Sequence, residues 1–174
     1  MKRFYIPFII FSGLIVFLAS GLHNDPSVIP SALIGKKIPE FSLSTLHDKN
    51  KEISSEDLTG EPFLLNVWAT WCAACKEEHE FLVDIAKRSK IIIYGLNYKD
   101  NRTAALQWLQ ELGNPYKESL YDSAGNVSID WGVYGAPETF LVDAQGVIRF
   151  KHIGLLNEEV YQNMIKKLLI NRQE

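Results

Sequence analysis

The chain has 174 residues, of which 47% are hydrophobic and 22% charged, a composition typical of one packed globular domain. The formal net charge of −3 disfavours a nucleic acid as partner. The sequence shows no internal repeat, which disfavours a solenoid or a propeller.

The N-terminal 22 residues are the most apolar part of the chain. Lys2 and Arg3 precede the uncharged run Phe4–Leu22. At about 1.5 Å per residue, a helix of that length spans roughly 30 Å of hydrocarbon. We therefore expect a membrane anchor over residues 1–22, with its positive flank in the cytoplasm and the rest of the chain on the other side. A cleavable signal peptide is the alternative, because Ala19-Ser20-Gly21 offers small residues to a peptidase.

Residues 23–36 have prolines and serines without sustained periodicity, which predicts a short tether before one domain over residues 37–174. The predicted elements of this domain are a hairpin (41–44 and 51–53), a strand (63–68), a helix (72–88), a strand (91–96), a helix (102–112) capped by Asp100 or Asn101, an antiparallel pair (138–142 and 147–151) and a last helix after Asn157. This order predicts an α/β fold with a mixed sheet and helices on both faces.

The only two cysteines, Cys72 and Cys75, lie where the strand 63–68 leads into the helix 72–88. Unpaired N–H groups and the positive end of the dipole at a helix N-terminus favour a thiolate, the form that attacks disulfides. Cys75 follows one turn later and can close on a mixed disulfide. The pair therefore predicts a redox-active dithiol in which Cys72 attacks and Cys75 resolves.

Two other uses of these cysteines are a structural disulfide and a metal site. A disulfide closing so short a loop removes little unfolded-state entropy. Structural zinc takes four ligands, and none of the four histidines has zinc-finger spacing. His79 does lie four residues beyond Cys75 on the same helical face, so metal binding stays an alternative, although we expect no metal.

Four segments of the domain resemble one family: LLNVWATWC at 64–72, GLNYKD at 95–100, LGNPY at 112–116 and GVYGAPETFLVD at 132–143. With the Trp-Cys-x-x-Cys at a strand-to-helix junction, they resemble the thioredoxin fold. The closer similarity is to the membrane-anchored, TlpA-like thiol:disulfide interchange proteins of cytochrome c maturation, called CcmG or DsbE. The segments extend through most of the domain, and the last is far more specific than the bare CxxC.

The resemblance implies roles for five further residues. Pro137 is implied to be cis, which sets the Ala136 backbone where it can pair with an extended substrate; an ordinary turn proline is the alternative. Trp71 is implied to cover the dithiol, and a core tryptophan is the alternative. Glu78 and Glu138 match acidic positions of the family's site. Glu78 is implied to raise the cysteine pKa values or to relay a proton, and one more charge on a solvated face is the alternative. Glu138 is implied to bind substrate, and an exposed strand residue is the alternative.

The function implied is that of a periplasmic, single-pass inner-membrane reductase without a cofactor other than its own disulfide. A membrane thiol transporter of the DsbD or CcdA type is the implied electron donor. The implied acceptor is the Cys-x-x-Cys-His segment of apocytochrome c, directly or through a CcmH-like protein, because haem attachment needs free thiols in an oxidising compartment.

Residue 66 and the loop between the two cysteines depart from the patterns of related thioredoxin-like proteins. Ala73 and Ala74 fill the loop where the family usually has a proline after the first cysteine, so a disulfide oxidant or isomerase on the same fold stays open. A copper metallochaperone on this fold is a further alternative. Asn66 stands where thioredoxins carry a buried aspartate, which leaves Glu78 as the stronger candidate for a proton acceptor.

Overall fold

The computed structural model describes residues 5–21 and 32–170. The described helices are α1 (Tyr5–Gly21), α2 (Ala73–Arg88), α3 (Arg102–Leu112), α4 (Asn126–Asp130) and α5 (Glu158–Ile170), with a 3₁₀ turn at Glu56–Leu58. The strands are β1 (Ser42–Ser44), β2 (Glu52–Ser54), β3 (Phe63–Trp68), β4 (Ile92–Tyr98), β5 (Glu118–Asp122), β6 (Glu138–Val142) and β7 (Ile148–Ile153). Strands and helices alternate through the domain, so the predicted α/β class is confirmed.

The main sheet has five strands in the order β5-β4-β3-β6-β7. Strands β3, β4 and β5 run parallel, whereas β6 is antiparallel to both β3 and β7. The C-terminal ends of β3, β4 and β5 and the N-terminal end of β6 therefore lie at one edge of the sheet, which we call the site edge. β1 and β2 form a separate antiparallel hairpin.

The central strand β3 divides the core because its side chains alternate between the two faces of the sheet. Leu64 and Trp68 belong to a cluster that also contains buried residues of α2, α3 and α5. Phe63 and Val67 belong to a second cluster, which contains residues of β2, the 3₁₀ turn and α4. Helices α2, α3 and α5 thus cover one face, and the hairpin with the 3₁₀ turn and α4 covers the other.

Gly95 sits in β4 beside the first of these clusters. A β-carbon there would lie 2.8 Å from Ser119 Oγ, 2.8 Å from Trp68 Nε1 and 3.0 Å from Tyr116 Cδ2. These separations are shorter than van der Waals contact, so only glycine fits without moving a neighbour. The close approach lets Trp68 donate a hydrogen bond to Ser119 Oγ and stack on the Tyr116 ring.

Three sequence expectations need correction. Strand β5 and helix α4 were not predicted, although both complete the site edge. The spacing of Cys75, Leu82 and Ala86 on α2 predicts that Ala86 faces inward. Ala86 is instead exposed and Ile85 is buried, because the buried face follows positions 75, 78, 79, 82 and 85. Residues 35–38, of which 35 and 36 were assigned to the tether, hydrogen-bond to residues 146–148: Gly35 N donates to Ile148 O, and Ile38 N donates to Gly146 O.

Within residues 5–21 and 32–170, no helix combines the length and the apolarity needed to cross a bilayer. Residues 1–4 and residue 22 of the predicted anchor, which covers residues 1–22, lie outside the described residues. The same holds for residues 23–31 of the predicted tether.

Candidate active site

The topology brings the CxxC loop and the Pro137 segment together at the site edge. The CxxC loop leaves the C-terminal end of β3, and Pro137 directly precedes β6. Val67 and Glu138 are register partners in the antiparallel β3–β6 pair. Ala136 consequently packs against the cluster that contains both cysteines. The Ala136–Pro137 peptide bond is cis, as the resemblance implies.

Cys72 and Cys75 form a disulfide at the N-terminus of α2, with their Cα atoms 5.3 Å apart. Cys72 is the N-cap residue, and its Sγ accepts a hydrogen bond from the backbone N–H of Cys75 at 3.1 Å. Cys72 is 5% exposed and Cys75 is 2% exposed. The residue that caps the helix is thus the less buried of the two, and its position at the helix N-terminus is the one that favours an attacking thiolate.

Asp100 fastens the loop just before the cysteines, a role that the sequence did not reveal. Its carboxylate accepts hydrogen bonds from Thr70 N at 2.7 Å and Thr70 Oγ1 at 2.6 Å. The sequence offers Asp100 or Asn101 as the N-cap of α3. Asn101 is the cap, because its side chain accepts hydrogen bonds from two backbone N–H groups. Trp71 Nε1 donates to Lys99 O at 3.1 Å from the same turn. The end of β4 thus holds the chain that leads into Cys72.

The Trp71 ring is 56% exposed, so the alternative of a core tryptophan is wrong. Its indole lies edge-on to Tyr98, with ring centroids 6.2 Å apart. Because its N–H is anchored and more than half of its surface is exposed, Trp71 offers an apolar surface beside Cys72 in the chain.

Glu78 is buried on the face of α2 that also carries Cys75, one turn earlier, and it is only 2% exposed. Glu78 Oε1 accepts from Asn66 Nδ2 at 2.9 Å, and Oε2 accepts from Leu156 N at 2.7 Å. Asn66 Oδ1 in turn accepts from Tyr116 OH at 2.8 Å. Glu78 is therefore not a solvated charge on an exposed helix face.

Burial raises the Glu78 pKa from 4.5 to about 7, although the hydrogen bonds from Leu156 and Asn66 offset part of that rise. A carboxyl group with a pKa near neutrality can both release and accept a proton under physiological conditions. Burial, together with the charge of Glu78, raises the pKa of Tyr116 well above its usual value. Tyr116 therefore stays a donor, which orients the Asn66 amide group towards Glu78.

Glu138 is completely buried at the start of β6, so the alternative of an exposed strand residue is wrong. Its Oε1 accepts from Tyr134 N at 2.8 Å, and its Oε2 lies 2.9 Å from Lys151 Nζ. The carboxylate thus faces the segment before Pro137 rather than solvent. The described contacts of Glu138 hold this segment of the chain, and the substrate-binding role that the resemblance implies for Glu138 stays a prediction.

His79 uses both ring nitrogens within the protein. Nε2 donates to Gly113 O at 2.8 Å, and Nδ1 accepts from Trp108 Nε1 at 3.4 Å. Burial lowers the pKa of His79, which favours the neutral ring that these contacts need. In the part of the chain that the structure describes, no group of three or more His, Cys, Asp or Glu side chains could hold a metal ion. The geometry therefore gives no support to a metal site of His79 with the cysteines.

Comparison with known proteins gives the same assignment as the site. The redoxin family model matches residues 33–167. A thiol:disulfide interchange protein DsbE of Yersinia pestis is 50% identical over 173 residues, 96% of this chain and 92% of the relative. One of Escherichia coli strain K12 is 47% identical over 176 residues, 97% of this chain and 95% of the relative.

The fold is also shared with solved structures. The crystal structure of a DsbF homologue from Corynebacterium diphtheriae matches with a TM-score of 0.68 at 21% identity, over 83% of this chain and 97% of that one. The chain therefore belongs to the redoxin family, and within it to the DsbE thiol:disulfide interchange proteins, as a protein-disulfide oxidoreductase of thioredoxin-like fold.

Proposed function

We propose that this oxidoreductase is a reductant of protein disulfides, anchored in the inner membrane with its domain in the periplasm, and that it acts in cytochrome c maturation. The observation that carries the proposal is the Cys72–Cys75 disulfide at the N-terminus of α2, directly before the buried Glu78 on the same helix. The helix N-terminus favours attack by Cys72, and the carboxyl group accepts and returns protons in the interior.

Reduction of a client disulfide then takes two exchanges. The Cys72 thiolate attacks one client sulfur, forms a mixed disulfide and releases the other client sulfur as a thiolate. Cys75 loses its proton, with Glu78 as the acceptor, and attacks Cys72 Sγ. This second exchange releases the remaining client sulfur and leaves the Cys72–Cys75 disulfide, so two electrons have passed to the client.

The electrostatics of Glu78 support the reducing direction. A thioredoxin-like protein is a strong oxidant when its reduced form is strongly stabilised as a thiolate. The Glu78 carboxylate lies on the same helical face as Cys75 and repels negative charge on the Cys75 sulfur. That repulsion limits stabilisation of the dithiol form and so makes the protein a better electron donor.

The equilibrium reduction potential of the full chain against glutathione tests the direction. We expect a value below about −180 mV, on the reducing side of protein disulfide isomerase. A value close to the about −120 mV of DsbA would overturn the reductant and favour the oxidant.

The two cysteines have separable roles that mutation can test. Cys72→Ala should abolish disulfide exchange, because it removes the attacking sulfur. Cys75→Ala should instead accumulate a mixed disulfide with the client, visible on a non-reducing gel, since the resolving sulfur is gone. Full activity of both variants would contradict the mechanism.

The client and the donor follow from the same proposal. We assign as client the Cys-x-x-Cys-His segment of apocytochrome c, directly or through a CcmH-like protein, and as donor a membrane thiol transporter of the DsbD or CcdA type. Capture of the client by the Cys75→Ala variant in cells tests this, because the trapped partner can be identified by mass. Trapping only unrelated proteins would contradict the assignment.

The anchor has its own test. The uncharged run Phe4–Leu22 supports a membrane span, and the exposed apolar side chains of α1, such as those of Phe8 and Phe17, need an apolar environment. The full chain should stay with membranes after alkaline carbonate extraction, whereas a chain beginning at residue 32 should not. Release of the full chain by carbonate would contradict an anchor.

A further inference from the structure

Lys151 on β7 is an almost fully buried lysine whose hydrogen bond and ion pair both lead to the segment 132–138, while its Nζ also lies 5.3 Å from the centroid of the Phe140 ring. Its Nζ lies 2.9 Å from Glu138 Oε2 and donates to Gly132 O at 2.6 Å. Both side chains of the ion pair are 1% exposed. Burying a charged group costs free energy unless the group is paired and hydrogen-bonded. Loss of either partner of this ion pair should therefore disturb the segment that the pair contacts.

Glu138 extends the ion pair into the backbone of the same segment. Its Oε1 accepts from Tyr134 N at 2.8 Å and from Gly135 N at 3.3 Å. Together with the contact of Lys151 to Gly132 O, the pair thus satisfies three backbone groups in the four residues 132–135. Next in the chain come Ala136, which packs against the cluster that contains both cysteines, and Pro137.

The pair also orients an exposed aromatic ring. Lys151 Nζ lies 4.3 Å from the centroid of the Tyr134 ring, which is 69% exposed. A cation this close to one ring face attracts that face and holds the ring in place. The other parts of the ring remain open to solvent, so Tyr134 adds apolar surface beside the segment that meets the client.

We propose that Lys151 is a positioning residue: paired with Glu138, it holds residues 132–137 and the Tyr134 ring in the arrangement that receives an extended peptide carrying a disulfide. The inference rests on the proposed reductase function and adds to it a residue that determines the preference for peptide over small disulfides. An extended chain needs a preformed backbone partner at Ala136, whereas a small disulfide needs only the sulfur of Cys72.

The experiment measures how fast the full-length protein reduces two disulfide probes. One is a twelve-residue peptide with an internal Cys-x-x-Cys-His disulfide, and the other is 2-hydroxyethyl disulfide. In Lys151→Met, the ratio of the peptide rate to the small-disulfide rate should fall at least tenfold, mainly through a higher KM for the peptide. Lys151→Arg, which keeps the cation, should restore most of the ratio.

Arg149→Met is the matched control. Arg149 lies on the same strand and pairs with Asp143 at 2.6 Å near the β6–β7 turn, at the end of the hairpin away from the site edge. Its loss should leave the ratio within twofold of wild type. Lys151→Met leaves the buried Glu138 without its cation, which can prevent folding. The double variant, Lys151→Met with Glu138→Gln, removes both charges. If the single variant does not fold, the double variant should show the same fall in the ratio.

Amide hydrogen exchange gives an independent readout of position. The Tyr134 N–H, which donates to Glu138, should lose protection in Lys151→Met but not in Arg149→Met. A wild-type ratio in both folded charge-removing variants would overturn the inference. Failure of the wild-type protein to reduce either probe would instead overturn the proposed function, so the two failures are distinguishable.

Discussion

The free energy of unfolding of the oxidised protein should fall as the pH rises from about 4.5 to about 7, because Glu78 ionises inside the folded chain. The Glu78 pKa is raised from 4.5 to about 7 by burial. Between these values the folded state binds more protons than the unfolded state, so stability decreases with increasing pH. At 1.36 kcal/mol per pH unit, the full loss is about 3 kcal/mol.

The sign and the pH window separate this effect from ordinary acid denaturation. Below about pH 4.5 Glu78 is protonated in both states and adds no pH dependence, and above about pH 7 the whole cost is present. A carboxylate in a salt bridge has the opposite effect, because its pKa is lowered on folding and it contributes stability that is lost in acid.

Urea unfolding of wild type and Glu78→Gln between pH 4 and pH 8.5 measures the effect. Glutamine cannot ionise, and it cannot accept from both Asn66 and Leu156, so a constant difference in stability is expected at every pH. On top of that constant, the variant should gain about 3 kcal/mol relative to wild type as the pH rises. Glu77→Gln, on the exposed face of the same helix, should show no such trend. A flat difference for Glu78→Gln would refute the argument.

Gly95→Ala should lower the free energy of unfolding by about 1–3 kcal/mol, because β4 has no room for a β-carbon. Gly135→Ala, where a β-carbon meets none of the described atoms within 4 Å, should change it by less than about 0.5 kcal/mol, and equal losses would contradict the packing argument. Asp100→Ala should cost about 1–3 kcal/mol in urea unfolding and slow exchange with peptide disulfides, because two donors of Thr70 lose their acceptor. As the control, Asp84→Ala at an exposed position should lower the free energy of unfolding by less than about 1 kcal/mol. If Asp100→Ala lowered it no more than that, contacts other than those of Asp100 would hold the loop before Cys72.

The elements that sequence patterns predicted to the residue are β3, α3 and β6. Each has either a continuous apolar run or a clear cap and stop, so local signals are sufficient. Strand β5 lacks such a signal, because only Leu120 and Tyr121 are apolar between Glu118 and Asp122, whereas β6 has the run Phe140–Val142. The burial of Asp122 depends on α4, where Ser128 N and Oγ donate to it, and a contact of this kind cannot be read from the strand alone.

At the site too, local sequence patterns predicted the motifs but not the contacts between residues that are distant in the chain. The cysteine pair and the segment around Pro137 were recognisable as motifs, and the structure places them at one edge of the sheet. The burial of Glu78 was not readable, because it lies between Glu77 and His79 in a charged stretch and its partner Leu156 is 78 residues away in the chain. Asp100 and Lys151 were missed for the same reason, since their partners come from other strands and loops.

The sulfurs of Cys72 and Cys75 lie in different environments at the start of α2, and disulfide exchange requires this difference. Cys72 lies at the helix N-terminus, where the N–H of Cys75 already donates to its sulfur, so negative charge on Cys72 is favoured. Cys75 lies one turn further in, on the face that carries the buried Glu78, where negative charge on sulfur is disfavoured until the carboxyl group has taken up a proton. Cys72 is therefore ready to attack, whereas resolution by Cys75 requires a proton transfer. Resolution should consequently depend on pH around the Glu78 pKa of about 7, and the attack step should not share that dependence.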